Sequence, residues 1–137
     1  MTTFERKLTA LAPYIQGLTR LIVGALFATH GAQKLFGAFG GIPPGAPAWI
    51  VYGAGSIEFI GGILIAIGLF TRVLAFLASG TMAVAYFYGH VYLAQVKSFW
   101  PNVNGGEPAV LFCWIFLLIA ALGPGAWAVD NLLRRRN

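Results

Sequence analysis

The side chains with chemistry to offer in this sequence are His30, Lys34, Glu58, Tyr86, His90 and Glu107, and most are set in long apolar runs. Histidine and lysine can donate to carbonyl oxygens such as those of a quinone, and histidine can also pass protons near neutral pH. Tyr86, Phe27 and Phe59 could stack on a ring. A carboxylate in an apolar run needs a cation beside it, because an unpaired charge there is costly. Lys34 or a protonated His30 is the expected partner of Glu58. His30, His90 and Glu58 would make a two-histidine, one-carboxylate set. No short-spaced pair of ligands supports that option, so no metal is expected.

These groups must be positioned by helices that cross a bilayer. The chain has 137 residues, 58% hydrophobic and 9% charged, against about 25% charged in soluble domains. Lipid is therefore the expected solvent, for a single integral membrane domain over 1–137. A span needs about 20 apolar residues, and the sequence offers four, over about 14–36, 49–70, 73–96 and 108–129. The fold class is an all-α membrane protein, four transmembrane helices packed as an antiparallel bundle. Residues 1–13 form a short polar lead in which Thr3 could start an interfacial helix, with Pro13 near the start of the first span. Residues 37–48 are a glycine- and proline-rich loop, and Thr71 with Arg72 makes a tight turn. Gly123-Pro124-Gly125 must kink or end the fourth span. The fourth span then either resumes through Trp127 or leaves the rest of the depth to packed loop.

The net charge of +5 does not point to nucleic acid, since five of the nine basic residues lie near the chain ends (Arg6, Lys7 and Arg134 to Arg136). They suit anionic headgroups. Together with Arg72 they place both termini on the cytoplasmic side. With one cysteine, Cys113, the chain has neither a disulfide framework nor an internal dithiol relay.

Orientation gives each polar residue a depth. At about 1.5 Å per residue from the outer helix ends, His30, Lys34, Glu58, Tyr86 and His90 lie roughly 4–15 Å deep, with Glu107 at the boundary. They converge on one layer, and a shared polar pocket in the outer half is expected. Arg20 lies about 25 Å from that end. It either snorkels to the headgroups or faces inward, along a helical seam with Phe27, His30 and Lys34. Gly24 and Gly31 flank that seam and would allow close helix approach, with Gln33 as a further helix-pairing residue.

The order Arg20, Gly24, Phe27, His30-Gly31, Gln33-Lys34-Leu35-Phe36-Gly37 resembles the first-span signature of DoxX-type membrane proteins. Matching elements follow over about residues 15 to 130: Ile57-Glu58-Phe59, Gly61-Gly62, Gly68-Leu69, Thr71-Arg72, Met82, Ala85-Tyr86, His90, Asn104-Gly105-Gly106-Glu107, Gly123-Pro124-Gly125 and Asp130. The resemblance implies a multi-pass protein of the bacterial cytoplasmic membrane. Relatives of that kind serve as a subunit of thiosulfate:quinone oxidoreductase, or tether soluble redox enzymes. Two readings stay open. In one, the pocket binds quinone or a similar lipophile non-covalently, within a quinone-linked oxidoreductase or a subunit of one. No haem, flavin or iron–sulfur motif is visible, so electrons would come from a sulfur or thiol donor or a redox partner protein. In the other, the chain is a non-catalytic scaffold that docks a redox enzyme. Homo-oligomers suit its small-residue faces.

Overall fold

The computed structural model describes residues 1–42 and 45–135, and among these every regular element is helical. Helix α1 runs Thr3–Phe36, α2 Trp49–Ile67, α3 Thr71–Leu93, α4 Pro101–Asn104, α5 Glu107–Leu122 and α6 Val129–Arg134. The first three are long and apolar enough to cross a membrane. Their outward surfaces carry Leu21, Ile22, Leu26, Ile60, Ile63, Phe76 and Leu77, all exposed. Large apolar side chains facing outward along whole helices are stable only against lipid. The chain is a membrane protein.

Helix α1 starts earlier than the expected span and runs through Pro13 without a break. A capping box starts it: the Thr2 hydroxyl accepts from the Glu5 amide at 3.2 Å, and the Glu5 carboxylate accepts from the Thr2 amide at 2.5 Å. At 34 residues it is about 51 Å long, so its first turns project beyond a hydrocarbon layer of about 30 Å. Gly37, in the left-handed conformation, ends it. In the following loop Ala38–Gly40 forms a 3₁₀ turn. Pro43 and Pro44 of that predicted loop, and Arg136 of the terminal arginines, lie outside the described residues.

The turn between α2 and α3 is Gly68–Phe70, not the expected Thr71–Arg72. Gly68 and Phe70 both take positive φ, and Thr71 and Arg72 already belong to α3. The fourth span takes one of the two courses expected of it. The predicted run 108–129 is not one helix, because α5 stops at Leu122. Sixteen helical residues reach only about 24 Å. Gly123 and Gly125 at positive φ and the missing amide of Pro124 prevent α5 from continuing. Residues 123–128 instead fold back as a packed, non-helical segment against α1.

Two side chains anchor that segment from α3 and α6. Arg72 donates to the carbonyls of Ala120, Ala121 and Leu122, satisfying the free C-terminal end of α5. Asp130 accepts from the amides of Phe70 and Thr71, each at 2.9 Å, at the start of α3. Partial burial alone would raise the Asp130 carboxyl. Donors at Thr71 and Phe70 and the charge of Arg134 outweigh it and hold the group below the usual carboxylate range. Because Thr71 Oγ1 has no hydrogen-bond partner, we assign this effect chiefly to the two amides. A depressed carboxyl stabilises the fold fully above its unfolded value of about 3.9, and that contribution is lost as pH falls through the folded value. Asp130→Asn should lower the melting temperature at pH 7, because it removes a negative charge at the start of α3 and one of the two acceptor oxygens, an effect of about 0.3–1 kcal/mol. The difference from wild type should shrink as the pH is taken below about 4. A gap that stays constant down to pH 3 would contradict this account.

The packed core lies toward this end of the bundle. Val23 and Phe27 of α1, Ile65 of α2, Ala75, Ala78 and Met82 of α3, and Phe116 and Ile119 of α5 form one buried cluster. Helix α1 meets α2 through glycine: a Cβ at Gly24 would sit 2.6 Å from the Ala66 amide nitrogen, and one at Gly62 2.5 Å from that of Ala28. Backbone contact this close requires residues without side chains.

Candidate functional site

Toward the opposite end the interior is not filled. The helices there carry small residues at the facing positions (Gly53 and Ala54 on α2, Gly80 and Ala85 on α3, Ala109 on α5), and a cavity of about 820 Å³ is left between them. Its size lies within the usual range for small-molecule sites, about 300–1,000 Å³. Residues 49–54, 57–61 and 85–93 are wound with π-type i→i+5 hydrogen bonds, a rare form found frequently at functional sites.

The polar groups reach this cavity from three of the helices. Lys34 of α1 meets Glu58 of α2, Nζ to Oε2 2.5 Å, with the Glu58 side chain 2% exposed and that of Lys34 18%. This is one of the two pairings expected from sequence, and it is the ion pair found among the described residues. Its approach depends on glycine, since a Cβ at Gly31 would fall 2.2 Å from the Phe59 amide nitrogen. His30, one turn below Lys34, lies 3.1 Å from Gln33 Oε1 through Nδ1, and its ring stands edge-on to Phe112 at 5.8 Å. Gln33 also donates to the Phe39 carbonyl at 3.5 Å. His90 of α3 faces the same cavity and places Nδ1 3.2 Å from the Asn104 carbonyl. His30, Lys34, Glu58 and His90 thus line one space.

The other expected pocket residues lie elsewhere. Tyr86 is buried but points to the loop: its hydroxyl donates to the Phe99 carbonyl, and its ring packs on Gly106, where a Cβ would be 2.7 Å from Tyr86 Cδ2. Glu107 is exposed at the start of α5, beside a smaller apolar groove formed with Val23, Leu26 and Leu111. Phe27 is fully buried, edge-on to Phe116 at 4.7 Å, and Phe59 packs on Phe36 at 5.1 Å. The aromatic rings that do line the cavity are Trp49, Tyr88 and Phe112. They read as ordinary apolar filler in the sequence, and only their placement singles them out. Among the described residues no three His, Cys, Asp or Glu side chains gather closely enough to hold a metal ion.

The Asn-Gly-Gly-Glu element gains a structural role. Asn104 is buried, donates to the Ser98 carbonyl at 2.9 Å and accepts from the Gly106 amide at 2.8 Å. It folds the 94–106 connection over the cavity end and presents its own carbonyl to His90.

Arg20 faces inward rather than snorkelling. It is 2% exposed and donates to five backbone carbonyls: Pro124 at 2.7 Å, Ile65 at 2.9 Å, Ala126 at 3.1 Å, Trp127 at 3.3 Å, and Ala66. It is part of the closed end of the bundle, distant along α1 from the cavity.

Comparison with known proteins agrees with the membrane character of the chain. The DoxX family model matches residues 16–91. The chain is 40% identical to an uncharacterized protein of Haemophilus influenzae, across 87% of this chain and 90% of that one. It is 30% identical to the inner membrane protein YqjF of Escherichia coli, across 87% and 92%. With the protein named "Putative oxidoreductase CatD" of Bacillus subtilis it shares 38% identity, across 82% of each. No solved structure matches the chain.

Proposed function

The chain belongs to the DoxX family, and from that premise we propose that it is a multi-pass protein of the bacterial inner membrane whose cavity binds a quinone or a similar lipid-soluble carbonyl compound as part of an oxidoreductase system. In this reading α5 is the fourth span. Both termini are cytoplasmic, and the cavity occupies the outer half of an antiparallel four-helix bundle. The carrying observation is that His30, the Lys34–Glu58 pair and His90 open onto one largely apolar cavity. A few converging polar groups in an apolar chamber are the usual make-up of a small-molecule site.

The chemistry assigns each group a part. A quinone ring lies among Trp49, Tyr88 and Phe112. Lys34 and a histidine N–H donate to its carbonyl oxygens, and Glu58 fixes the Lys34 ammonium. Reduction to quinol takes two electrons and two protons. Imidazole can both give and take a proton, and His30 and His90 stand on the cavity wall where they could deliver them. The electrons come from a sulfur or thiol donor or from a partner protein carrying a redox centre. One relative carries an oxidoreductase name, which supports this system-level assignment.

Purified protein should bind a short-chain benzoquinone. Removing a direct hydrogen-bond donor or its positioning partner costs about 1.4 kcal/mol or more, a factor of ten. His30→Ala and Glu58→Ala should each weaken binding at least tenfold. Unchanged affinity in both would defeat the proposal.

A second reading, a membrane scaffold that docks a redox enzyme, is favoured by the exposed Phe99 and Trp100 at the cavity end. It requires that partner capture survive the pocket substitutions and fail when residues 97–107 are replaced.

A further inference from the structure

The same cavity has a second end, toward the lipid. Helices α2 and α3 are joined at Gly68–Phe70 and pack on each other near that turn, but they part as they rise. Across the upper halves the aromatic contact between them is Trp49 with Tyr88, ring centroids 5.2 Å apart. Between that contact and the turn, the cavity is lined by Gly53 and Ile57 of α2 and Gly80 and Val84 of α3, and all four are exposed. A Cβ at Gly53 or at Gly80 would meet nothing within 4 Å, so the gap between the helices is open rather than closed by backbone contact. Gly80 stands nine residues above the start of α3, about 13 Å along the helix, which is mid-depth in a hydrocarbon layer of about 30 Å. The opening therefore faces acyl chains, whereas the ionisable groups lie on the inner wall.

We propose that this cleft holds the apolar tail of the ligand and is its entrance from the bilayer, so that the site takes long-tailed quinones in preference to water-soluble ones. The inference rests on the quinone reading of the cavity and adds the substrate class. A tailed quinone resides in the hydrocarbon layer. Through the cleft its head reaches Lys34, His30 and His90 without passing through water, while the tail stays between Gly53 and Gly80. Side chains are absent at both positions, where a side chain would obstruct it.

The test uses the full-length protein in lipid nanodiscs and two probes, a dimethoxy-methyl-benzoquinone without a tail and the same head carrying a ten-carbon tail. Wild type should bind the tailed probe at least tenfold more tightly. Gly53→Leu and Gly80→Leu point into open space, so melting temperatures should stay near wild type. Both should abolish the tenfold preference, read as the ratio of the two probes' affinities within each variant. Binding of both probes with the preference retained in both leucine variants would overturn the inference and leave the quinone reading standing. Failure of wild type to bind either probe would defeat that reading and this inference with it. Efficient disulfide cross-linking of Gly80→Cys between two copies, with no tail preference in wild type, would assign the cleft to a second copy and overturn the inference.

Discussion

Replacing Arg20 with alanine should produce the largest loss of stability available to a single substitution outside the cavity. The guanidinium gathers carbonyls from the end of α2 and from the non-helical 123–128 segment; of these the Ile65 carbonyl also accepts from the Gly68 amide. Hydrogen bonds to a charged group contribute about 1.5–3 kcal/mol each, and a buried acceptor left without a partner costs about 1–3 kcal/mol. Even with only partial loss, Arg20→Ala should cost on the order of 4 kcal/mol, in the range reserved for broken buried networks. Arg20→Lys should recover little, because one ammonium with three donors cannot span carbonyls spread around a planar fork. The melting temperature in detergent should fall by roughly 10 °C or more for alanine and by a similar amount for lysine. A lysine variant as stable as wild type would mean that charge alone, not the fork geometry, matters at this position.

The second large effect is expected at Gly31. Its missing side chain sets the distance between α1 and α2 at the level of the site, since a Cβ there would lie 2.2 Å from the Phe59 nitrogen and 2.7 Å from the Gly55 oxygen. These neighbours are backbone atoms and cannot rotate away. Gly31→Leu must therefore push the helices apart, at a cost above the usual 1–3 kcal/mol of overpacking. It should also separate Lys34 from Glu58. The control is Gly61→Ala, because a Cβ at Gly61 meets nothing within 4 Å. That change should be neutral or gain about 0.5–1 kcal/mol through helix propensity. Thermal unfolding of both variants, alongside quinone titration, tests the contrast. If Gly31→Leu keeps wild-type stability and binding, the close α1–α2 approach does not hold the site together.

The membrane-embedded, all-helical character of the chain was legible without coordinates. Composition and run length control it, and lipid admits few alternatives to a helix. The need of Glu58 for a cation was also legible, because a carboxylate in an apolar run must find one, whereas the choice of Lys34 over His30 came from the structure. Gly123-Pro124-Gly125 announced a break through backbone chemistry that needs no neighbours to act.

What the residues alone left undecided depended on direction around a helix and on contacts between distant segments. Tyr86 and His90 lie close in α3, yet one ring turns to the loop and the other to the cavity, because π-type winding over 85–93 departs from the regular 100° step assumed for an α-helix. Arg20 had two destinations of equal merit by depth. Only the fold-back of residues 123–128 supplied the carbonyls that hold it inside. Glu107 shares a depth with the pocket but begins a helix on its outer side. Sequence periodicity reports which residues are apolar and at what level they sit, whereas the angle at which helices meet decides which of them share a space.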